Sequence, residues 1–324
     1  GWDDVSFHGS DQIPTPNIDE LAYSGVLLHN YYVQPICTPT RAALMTGRHP
    51  IHLGLQHDVI YGAQPYGLRL NETTMAQHLK GLGLHNTYGG QGKWHLGFFT
   101  EEHTPTHRGF ETTLGKYWGY DMRRNGVLDY STYGQYATDL FTMESLNIIA
   151  NYANSTQPLF LYLAHLGVHA GNNIYPLQAP ETYTKRFPHI QSEKRKLLAG
   201  MVAAVDDSIG YVMQALKANN MYNNSVIIVT TDNGGPVNGY DGNDASNWPL
   251  RGCKHTLWEG GVRGNGFIHS PLLQAPGRVS TELMHVCDWL PTLYHVAGGD
   301  IKNLTNLDGY NMWDTLSRQV DLKI

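Results

Sequence analysis

Two short apolar runs in the second half of the chain predict buried β-strands. Residues 159–164 read Leu-Phe-Leu-Tyr-Leu-Ala, and residues 226–229 read Val-Ile-Ile-Val. Continuous apolar runs of this length are typical of parallel strands that are covered on both faces. Between them, apolar residues recur at helical spacing from Leu198 to Leu216. A strand, a helix and a second strand in this order predict a right-handed crossover in a mostly parallel sheet.

The same pattern predicts two further helices. Residues 138–153 begin with a threonine and an aspartate, which are favourable helix caps. Residues 281–297 have a helical pattern around Pro291, which would kink or restart the helix. No repeat, low-complexity tract or clear linker interrupts the chain, so we interpret residues 1–324 as one α/β domain. In such domains the chemistry gathers at the carboxyl ends of the strands.

The composition is that of a globular protein, with 41% hydrophobic and 15% charged residues. The net charge of −6 gives no basic field for nucleic acid, so we expect no nucleic-acid partner. No run approaches the roughly 20 apolar residues of a transmembrane segment. No signal peptide is visible, but the chain opens at Gly1-Trp2 rather than at Met, so we interpret it as a fragment or a processed product.

Glycosylation sequons and cysteines bear on the cellular compartment. Four Asn-x-Ser/Thr sequons favour a secretory route. They lie at Asn71, Asn154, Asn223 and Asn303. The chain has three cysteines, which cannot all pair internally, so it is no disulfide scaffold. The sequence leaves open whether Cys253 and Cys287 pair.

The sharpest chemical signal is residues 37–48, which read Cys-Thr-Pro-Thr-Arg-Ala-Ala-Leu-Met-Thr-Gly-Arg. Pro39 suits the first turn of a helix, so Cys37 is expected near a helix N-terminus. That end of a helix attracts anions. The plain structural alternative is a buried cysteine that precedes a helix.

Two further segments carry side chains suited to an oxyanion and a metal. Lys93 and His95, in Gly-Lys-Trp-His-Leu-Gly, offer a compact positive charge and a group that exchanges a proton near neutral pH. Asp232 and Asn233 directly follow the strand 226–229, and their oxygens are ligands for hard cations. Taken alone, the first segment could be an ordinary loop, and Asp-Asn-Gly-Gly could be a turn.

Together these segments resemble the signatures of the type I sulfatases. C-x-P-x-R with the following A-A-L-M-T-G-R is similar to the first signature, G-K-W-H-L-G to the second, and T-D-N-G-G to the metal-binding segment. His169, which follows the strand 159–164, resembles the histidine of the family's V-H segment. Residues 247–254, N-W-P-L-R-G-C-K, resemble the segment that supplies a second sulfate-binding lysine, here Lys254. Cys253 is not expected from the family pattern.

The resemblance covers nearly the whole chain and is closest to the arylsulfatase B group of animal sulfatases. It includes F-H-G-S at 7–10, L-G-L-Q-H at 53–57 and L-W-E-G-G-V-R-G at 257–264. It implies an alkaline-phosphatase-like fold and a lysosomal or secreted location. That group acts on the 4-sulfate of N-acetylgalactosamine in glycosaminoglycans, while related proteins act on other sulfates, so the substrate does not transfer securely.

Two departures from the family pattern matter. Family members carry an aspartate pair two residues before the Gly-Trp at the end of the first strand, and we expect that strand and those metal ligands to be absent from this chain. Asp3 and Asp4 lie downstream and do not replace them. We also expect most of the small C-terminal domain of the family to be absent beyond Ile324.

The resemblance implies the cofactors. In the family, a formylglycine-generating enzyme oxidises the cysteine, here Cys37, to formylglycine, whose hydrate attacks sulfur and then expels sulfate. One Ca²⁺ would orient this group and polarise the sulfate, with residue 37, Asp232 and Asn233 as the ligands expected from this chain.

The resemblance also implies the roles of the cationic residues. Lys93, Lys254 and Arg41 would add fixed positive charge around a sulfated small molecule or glycosaminoglycan. His169, with Lys254, is the candidate proton donor to the leaving oxygen, and His95 is the candidate base for release of sulfate.

Two other functions stay open from the sequence. The superfamily contains phosphate and phosphonate ester hydrolases, whose tetrahedral substrates fit similar sites. The chain could also be an inactive, truncated homologue that binds sulfated glycans without cleaving them.

Overall fold

Helices alternate with strands along the part of the chain that the computed structural model describes, residues 1–62, 64–84, 86–116 and 121–320. The helices are α1 (Pro16–Ser24), α2 (Cys37–Thr46), α3 (Pro50–Leu53), α4 (Met75–Gly81), α5 (Ala137–Tyr152), α6 (Glu181–Thr184), α7 (Glu193–Ala218), α8 (Glu259–Val262), α9 (Trp289–Val296) and α10 (Trp313–Arg318). Of these described helices, none combines the length and the hydropathy needed to cross a bilayer.

The strands are short. They are β1 (Val26–Leu28), β2 (Tyr31–Tyr32), β3 (Asn86–Lys93), β4 (Leu114–Lys116), β5 (Met122–Arg124), β6 (Val127–Leu128), β7 (Leu159–Ala164), β8 (Ile227–Thr230), β9 (Gly266–His269), β10 (Arg278–Ser280) and β11 (Met284–His285).

Parallel and antiparallel pairs are combined in the sheets. One sheet has the order β10-β1-β9-β8, in which β1 is parallel to β10 and β9 is antiparallel to both of its neighbours. A second has the order β6-β5-β4-β3-β7, in which β3 is parallel to β4 and to β7. In a third, β2 pairs with β11 in parallel. The expected α/β class is confirmed. In the described residues, however, β7 and β8 belong to different sheets, so the predicted crossover does not close within a single sheet.

The predicted helices 138–153 and 198–216 correspond to α5 and α7. The predicted helix 281–297 is wrong in its first half, where the chain forms β11 and a 3₁₀ turn. The His285 ring accepts a hydrogen bond from the Cys287 amide, and the Asp288 carboxylate accepts one from the His285 amide. This reciprocal cap ends the extended segment, so α9 begins at Trp289 and Pro291 lies in its first turn, where no intrahelical N–H is needed.

β7 and β8 are less buried than the sequence predicts. All residues of β7 except Ala164 are half-buried, and so is every residue of β8. Each strand lies at the edge of its sheet in the described residues, so one side of it lacks a neighbouring strand. The apolar side chains of both strands are therefore only partly removed from solvent.

Helix α2 provides the rigid support for the site. All of its residues except Leu44 are buried, and Ala42, Ala43 and Met45 belong to the same apolar cluster as Trp289 of α9. Gly47 ends the helix in the left-handed conformation, and its amide donates to the Ala43 carbonyl oxygen.

Candidate active site

Three segments that are distant in sequence meet at the first residue of α2. Cys37 is 1% exposed. The Lys93 Nζ, at the end of β3, donates a hydrogen bond to the Cys37 Sγ over 3.1 Å. The Sγ lies 3.4 Å from the Asn233 Oδ1, just after β8. The ends of β3 and β8 therefore converge on the N-terminus of a helix, as expected for an α/β site.

The surroundings of Cys37 favour negative charge at this position. Burial raises the pKa of the thiol, and the nearby Asp232 raises it too, but the Lys93 ammonium and the neighbouring His169 and His95 outweigh both. The net result is a pKa well below the ordinary thiol value. The same arrangement would stabilise any anion held at this point.

Arg41 holds Asp232 rather than reaching Cys37. Its Nε and Nη2 lie 3.1 and 2.8 Å from the Asp232 Oδ2, and its Nη1 donates to the Lys93 carbonyl oxygen and the Tyr162 hydroxyl. Burial alone would raise the pKa of Asp232, but Arg41 and Lys93 lower it far below its usual range. The carboxylate is thus ionised at neutral pH. Its Oδ1 has no hydrogen-bond partner among the described residues.

His95 lies on the other side of Cys37. Its Nε2 is 3.1 Å from the Ile60 carbonyl oxygen, while its buried Nδ1 has no hydrogen-bond partner in the described residues. Burial lowers the pKa of this imidazole, and Lys93 lowers it further, against a raising effect of Cys37. With Nε2–H donating to Ile60, the ring is neutral and its Nδ1 carries a lone pair, as a general base requires.

His169 and Lys254 form a third group. The Lys254 Nζ is 3.1 Å from the His169 Nε2 and 2.5 Å from the Asp241 Oδ2. Burial lowers the pKa of Lys254, but Cys37 and Asp241 raise it, and the net shift is upward. Lys254 therefore stays protonated, and its ammonium donates a hydrogen bond to the His169 Nε2, while the His169 Nδ1 lies 2.8 Å from the Ala170 carbonyl oxygen. Asp241 fixes the ammonium in place.

The structure brings all the predicted site residues together, while the assigned roles remain predictions. It also adds three residues that the sequence analysis missed. Asp241 lies in a Gly- and Asn-rich loop without a recognisable pattern. Tyr162 is hidden in the apolar run of β7. Thr38, inside the Cys37 motif, donates to the His95 carbonyl oxygen over 2.9 Å and so ties the two motifs together.

Asp3 and Asp4 do not face the site. The Asp4 carboxylate is bound by Arg195 and by the amino group of Gly1, and the Asp3 carboxylate accepts from the Ser246 hydroxyl. This agrees with the expectation that neither replaces the aspartate pair. Cys253 and Cys287 are both free thiols, so the question of their pairing is answered.

Comparison with known proteins shows which family has this arrangement. The protein-family model described as Sulfatase matches residues 1–299. The chain is 44% identical to arylsulfatase J of Mus musculus over 98% of its own length and 54% of that protein. It is 29% identical to N-acetylgalactosamine-6-sulfatase of Homo sapiens, over 98% of its length and 63% of that protein. The chain thus spans little more than half the length of these relatives.

Solved protein structures superpose on this chain over most of its length. The structure of Ps i-CgsB in complex with k-i-k-neocarrahexaose superposes with a TM-score of 0.89 at 33% identity, over 99% of this chain and 74% of that one. A phosphonate monoester hydrolase from Silicibacter pomeroyi superposes with a TM-score of 0.65 at 19% identity, over 95% of this chain and 72% of that one. The latter likeness shows a shared fold alone.

Proposed function

Because the chain belongs to the sulfatase family, we propose that it hydrolyses sulfate monoesters with a formylglycine made from Cys37. The observation that carries this proposal is the convergence on the Cys37 Sγ of Lys93, His95 and the His169–Lys254 pair. The Sγ marks the place that the formylglycine oxygens would take. Cationic and imidazole groups surround that place on several sides, which suits a sulfate ester and a departing alcohol.

A divalent cation, Ca²⁺ by family resemblance, fits this site in part. The Asp232 carboxylate is ionised and one of its oxygens is free of partners among the described residues, and the Asn233 Oδ1 faces Cys37. These are hard oxygen ligands, but Ca²⁺ takes about six to eight. When bound, the cation would polarise the sulfate and offset the repulsion between it and Asp232.

We assign the remaining catalytic roles to side chains of this chain. Lys93 and Lys254 bind sulfate oxygens and stabilise the charge that develops on them. His169, with Lys254, is the proposed proton donor: the pair shares a proton between the Lys254 Nζ and the His169 Nε2, gives one proton to the leaving alcohol oxygen, and is left with one proton fewer. The His95 Nδ1 accepts the proton that must leave the nucleophile when sulfate departs. Arg41 acts as a positioning residue by holding Asp232.

A sulfated glycan is the substrate class that we propose. N-acetylgalactosamine-6-sulfatase is a named relative, and a similar structure binds k-i-k-neocarrahexaose. The arylsulfatase B-like segments add the 4-sulfate of N-acetylgalactosamine as a specific candidate. The exposed indole ring of Trp248, near Lys254 in sequence, offers a flat apolar surface for a sugar ring, and Trp258 is also exposed, with Arg251 stacked over its ring.

A lysosomal or secreted location follows from the same proposal, since formylglycine is made in the endoplasmic reticulum in this family. All four sequon asparagines are exposed, as N-glycosylation requires. Modification by the formylglycine-generating enzyme is part of this proposal.

The mass of the peptide that contains Cys37, isolated after secretion from animal cells, tests the nucleophile directly. We expect the mass of formylglycine rather than of cysteine, and we expect hydrolysis of an aryl sulfate in preference to the matching aryl phosphate. Cys37→Ser should abolish turnover, whereas Cys253→Ser, which removes a cysteine outside the site, should retain most of it. Unmodified Cys37 with equal losses in both variants would contradict the proposal, and faster phosphate cleavage would favour the phosphoesterase alternative.

A further inference from the structure

A second cluster of potential metal ligands is formed by three residues that have no part in the Cys37 site. His49, His285 and Cys287 each place one ligand atom within 4.8 Å of the others. The His285 Nδ1 is 3.0 Å from the Cys287 Sγ, and the rings of His49 and His285 have centroids 4.6 Å apart. His49 lies in the turn after α2, His285 at the end of β11, and Cys287 in the 3₁₀ turn before α9.

We propose that His49, His285 and Cys287 form a binding site for a thiophilic divalent metal ion such as Zn²⁺. Two imidazoles and a thiol are ligands of the soft to borderline class, which Zn²⁺ prefers and Ca²⁺ does not. Three protein ligands leave a fourth tetrahedral position for water. Binding would release the thiol proton of Cys287 to solvent and form a metal–sulfur bond.

The charges around the cluster favour a cation. Two carboxylates lie beside the cluster. The Asp308 Oδ2 accepts a hydrogen bond from the His49 amide over 2.7 Å, and the Asp288 Oδ2 accepts one from the His285 amide over 2.7 Å. Carboxylates in this position form a negative environment that a divalent cation would offset.

The surroundings also supply a partner that orients the histidine. The Gln34 side-chain amide lies 2.9 Å from the His285 Nε2. With its oxygen turned to the ring, this amide accepts Nε2–H, which leaves Nδ1 unprotonated. A bound metal would replace the Cys287 amide, 3.3 Å away, as the partner of this nitrogen. Metal-binding histidines are usually fixed by such a contact on the second nitrogen.

The location gives the site a structural role. The main chain of Gln34 is hydrogen bonded to Thr40 of α2, and the carbonyl oxygen of Gly47 accepts from Asp308 and Gly309. A metal here would join the segment before α2, the turn after it and the start of α9. It would thereby stabilise the helix that carries Cys37 without touching the reacting groups.

The chain has three cysteines, so replacing two of them leaves Cys287 as the source of any metal–sulfur signal. In the double variant Cys37→Ser, Cys253→Ser, the remaining cysteine of the chain is Cys287. We expect this protein to bind one equivalent of Co²⁺ with a sulfur-to-cobalt charge-transfer band, to release it to Zn²⁺, and to melt at a higher temperature with Zn²⁺ than after treatment with a chelator.

Ligand variants in the same background then identify the site. Cys287→Ser should abolish the band, His49→Gln should weaken binding at least as much as Gln34→Ala, and Gln34→Ala should cost about 10- to 100-fold in affinity. Melting each metal-free variant separates a folding defect from the loss of a ligand. Absence of the band in the double variant, or an unchanged band and affinity in His49→Gln, would overturn the site. These outcomes do not depend on sulfatase activity.

Discussion

At the scale of single residues, Lys93 and Lys254 bring positive charge to the surroundings of Cys37 from two segments that are distant in sequence. Replacing either with alanine should lower kcat by about 100- to 1,000-fold, the usual cost of a lost oxyanion contact. Because the interaction strengthens as charge develops, kcat should fall more than substrate affinity. Steady-state kinetics with an aryl sulfate measures this. Lys302→Ala, which removes an exposed charge elsewhere, is the control, and unchanged kcat/KM in either site variant would remove that lysine from the site.

The pH dependence should report His95. Burial and Lys93 lower the pKa of His95, and conversion of Cys37 to an uncharged aldehyde would remove its opposing effect. Since the base must be neutral and acts when sulfate departs, kcat should stay level as pH falls through about 6.5, the ordinary histidine pKa, and decline only below it. A pH series with an aryl sulfate tests this. Decline already above that pH would mean that His95 is not the base.

Much of the candidate site could be predicted from sequence, because its residues occur in compact motifs. Cys37 and Arg41 lie one helical turn apart, and Asp232 follows a recognisable apolar strand. The sequence does not predict which charged side chains form ion pairs within the site. The family resemblance predicts that Arg41 adds fixed positive charge at the site, but it does not predict the ion pair of Arg41 with Asp232, whose position relative to α2 depends on tertiary packing.

At the scale of elements, the end of α2 can be tested with a matched pair of glycines. Gly47 and Gly54 both have left-handed φ values, +66° and +71°. Alanine at either position should cost about 1–2 kcal/mol from backbone strain. A Cβ on Gly47 would also lie 2.8 Å from Leu307, whereas one on Gly54 would meet nothing closer than Arg69 at 3.6 Å. Urea denaturation should therefore show the larger loss for Gly47→Ala, and equal losses would contradict this account of the helix end.

The sequence predicts the ends of the long helices and strands to within a few residues, whereas it does not predict the two-residue strands. α5, α7 and β7 have strong periodic or continuous apolar patterns. β2 and β11 have two residues each and carry no pattern of their own, since their pairing is fixed by the neighbouring chain. The capped turn at His285 overrode the helical pattern of residues 281–297, because its side-chain hydrogen bonds stabilise a non-helical start.

At the scale of the whole molecule, half-buried edge strands lie beside the incomplete set of metal ligands. β7 and β8 are apolar edge strands that end near Asp232. Gly1 packs against the same region, since a Cβ on Gly235 would lie 2.8 Å from the Cα of Gly1. A strand that led into Gly1 would therefore deliver its last residues close to Asp232 and Asn233.

We predict that residues 1–324 alone bind Ca²⁺ weakly and have little sulfatase activity. Asp232 and Asn233 supply only part of the about six to eight oxygen ligands that Ca²⁺ takes, and the surrounding cations oppose its binding. Extension of the chain by an apolar strand that ends in Asp-Asp two residues before Gly1 should raise Ca²⁺ affinity and activity together. The same extension ending in Asn-Asn should restore the packing of the strand but little of the affinity. Calorimetric Ca²⁺ titration and an aryl sulfate assay compare the three proteins. Full affinity and activity in the unextended chain would mean that another carboxylate of this sequence completes the site.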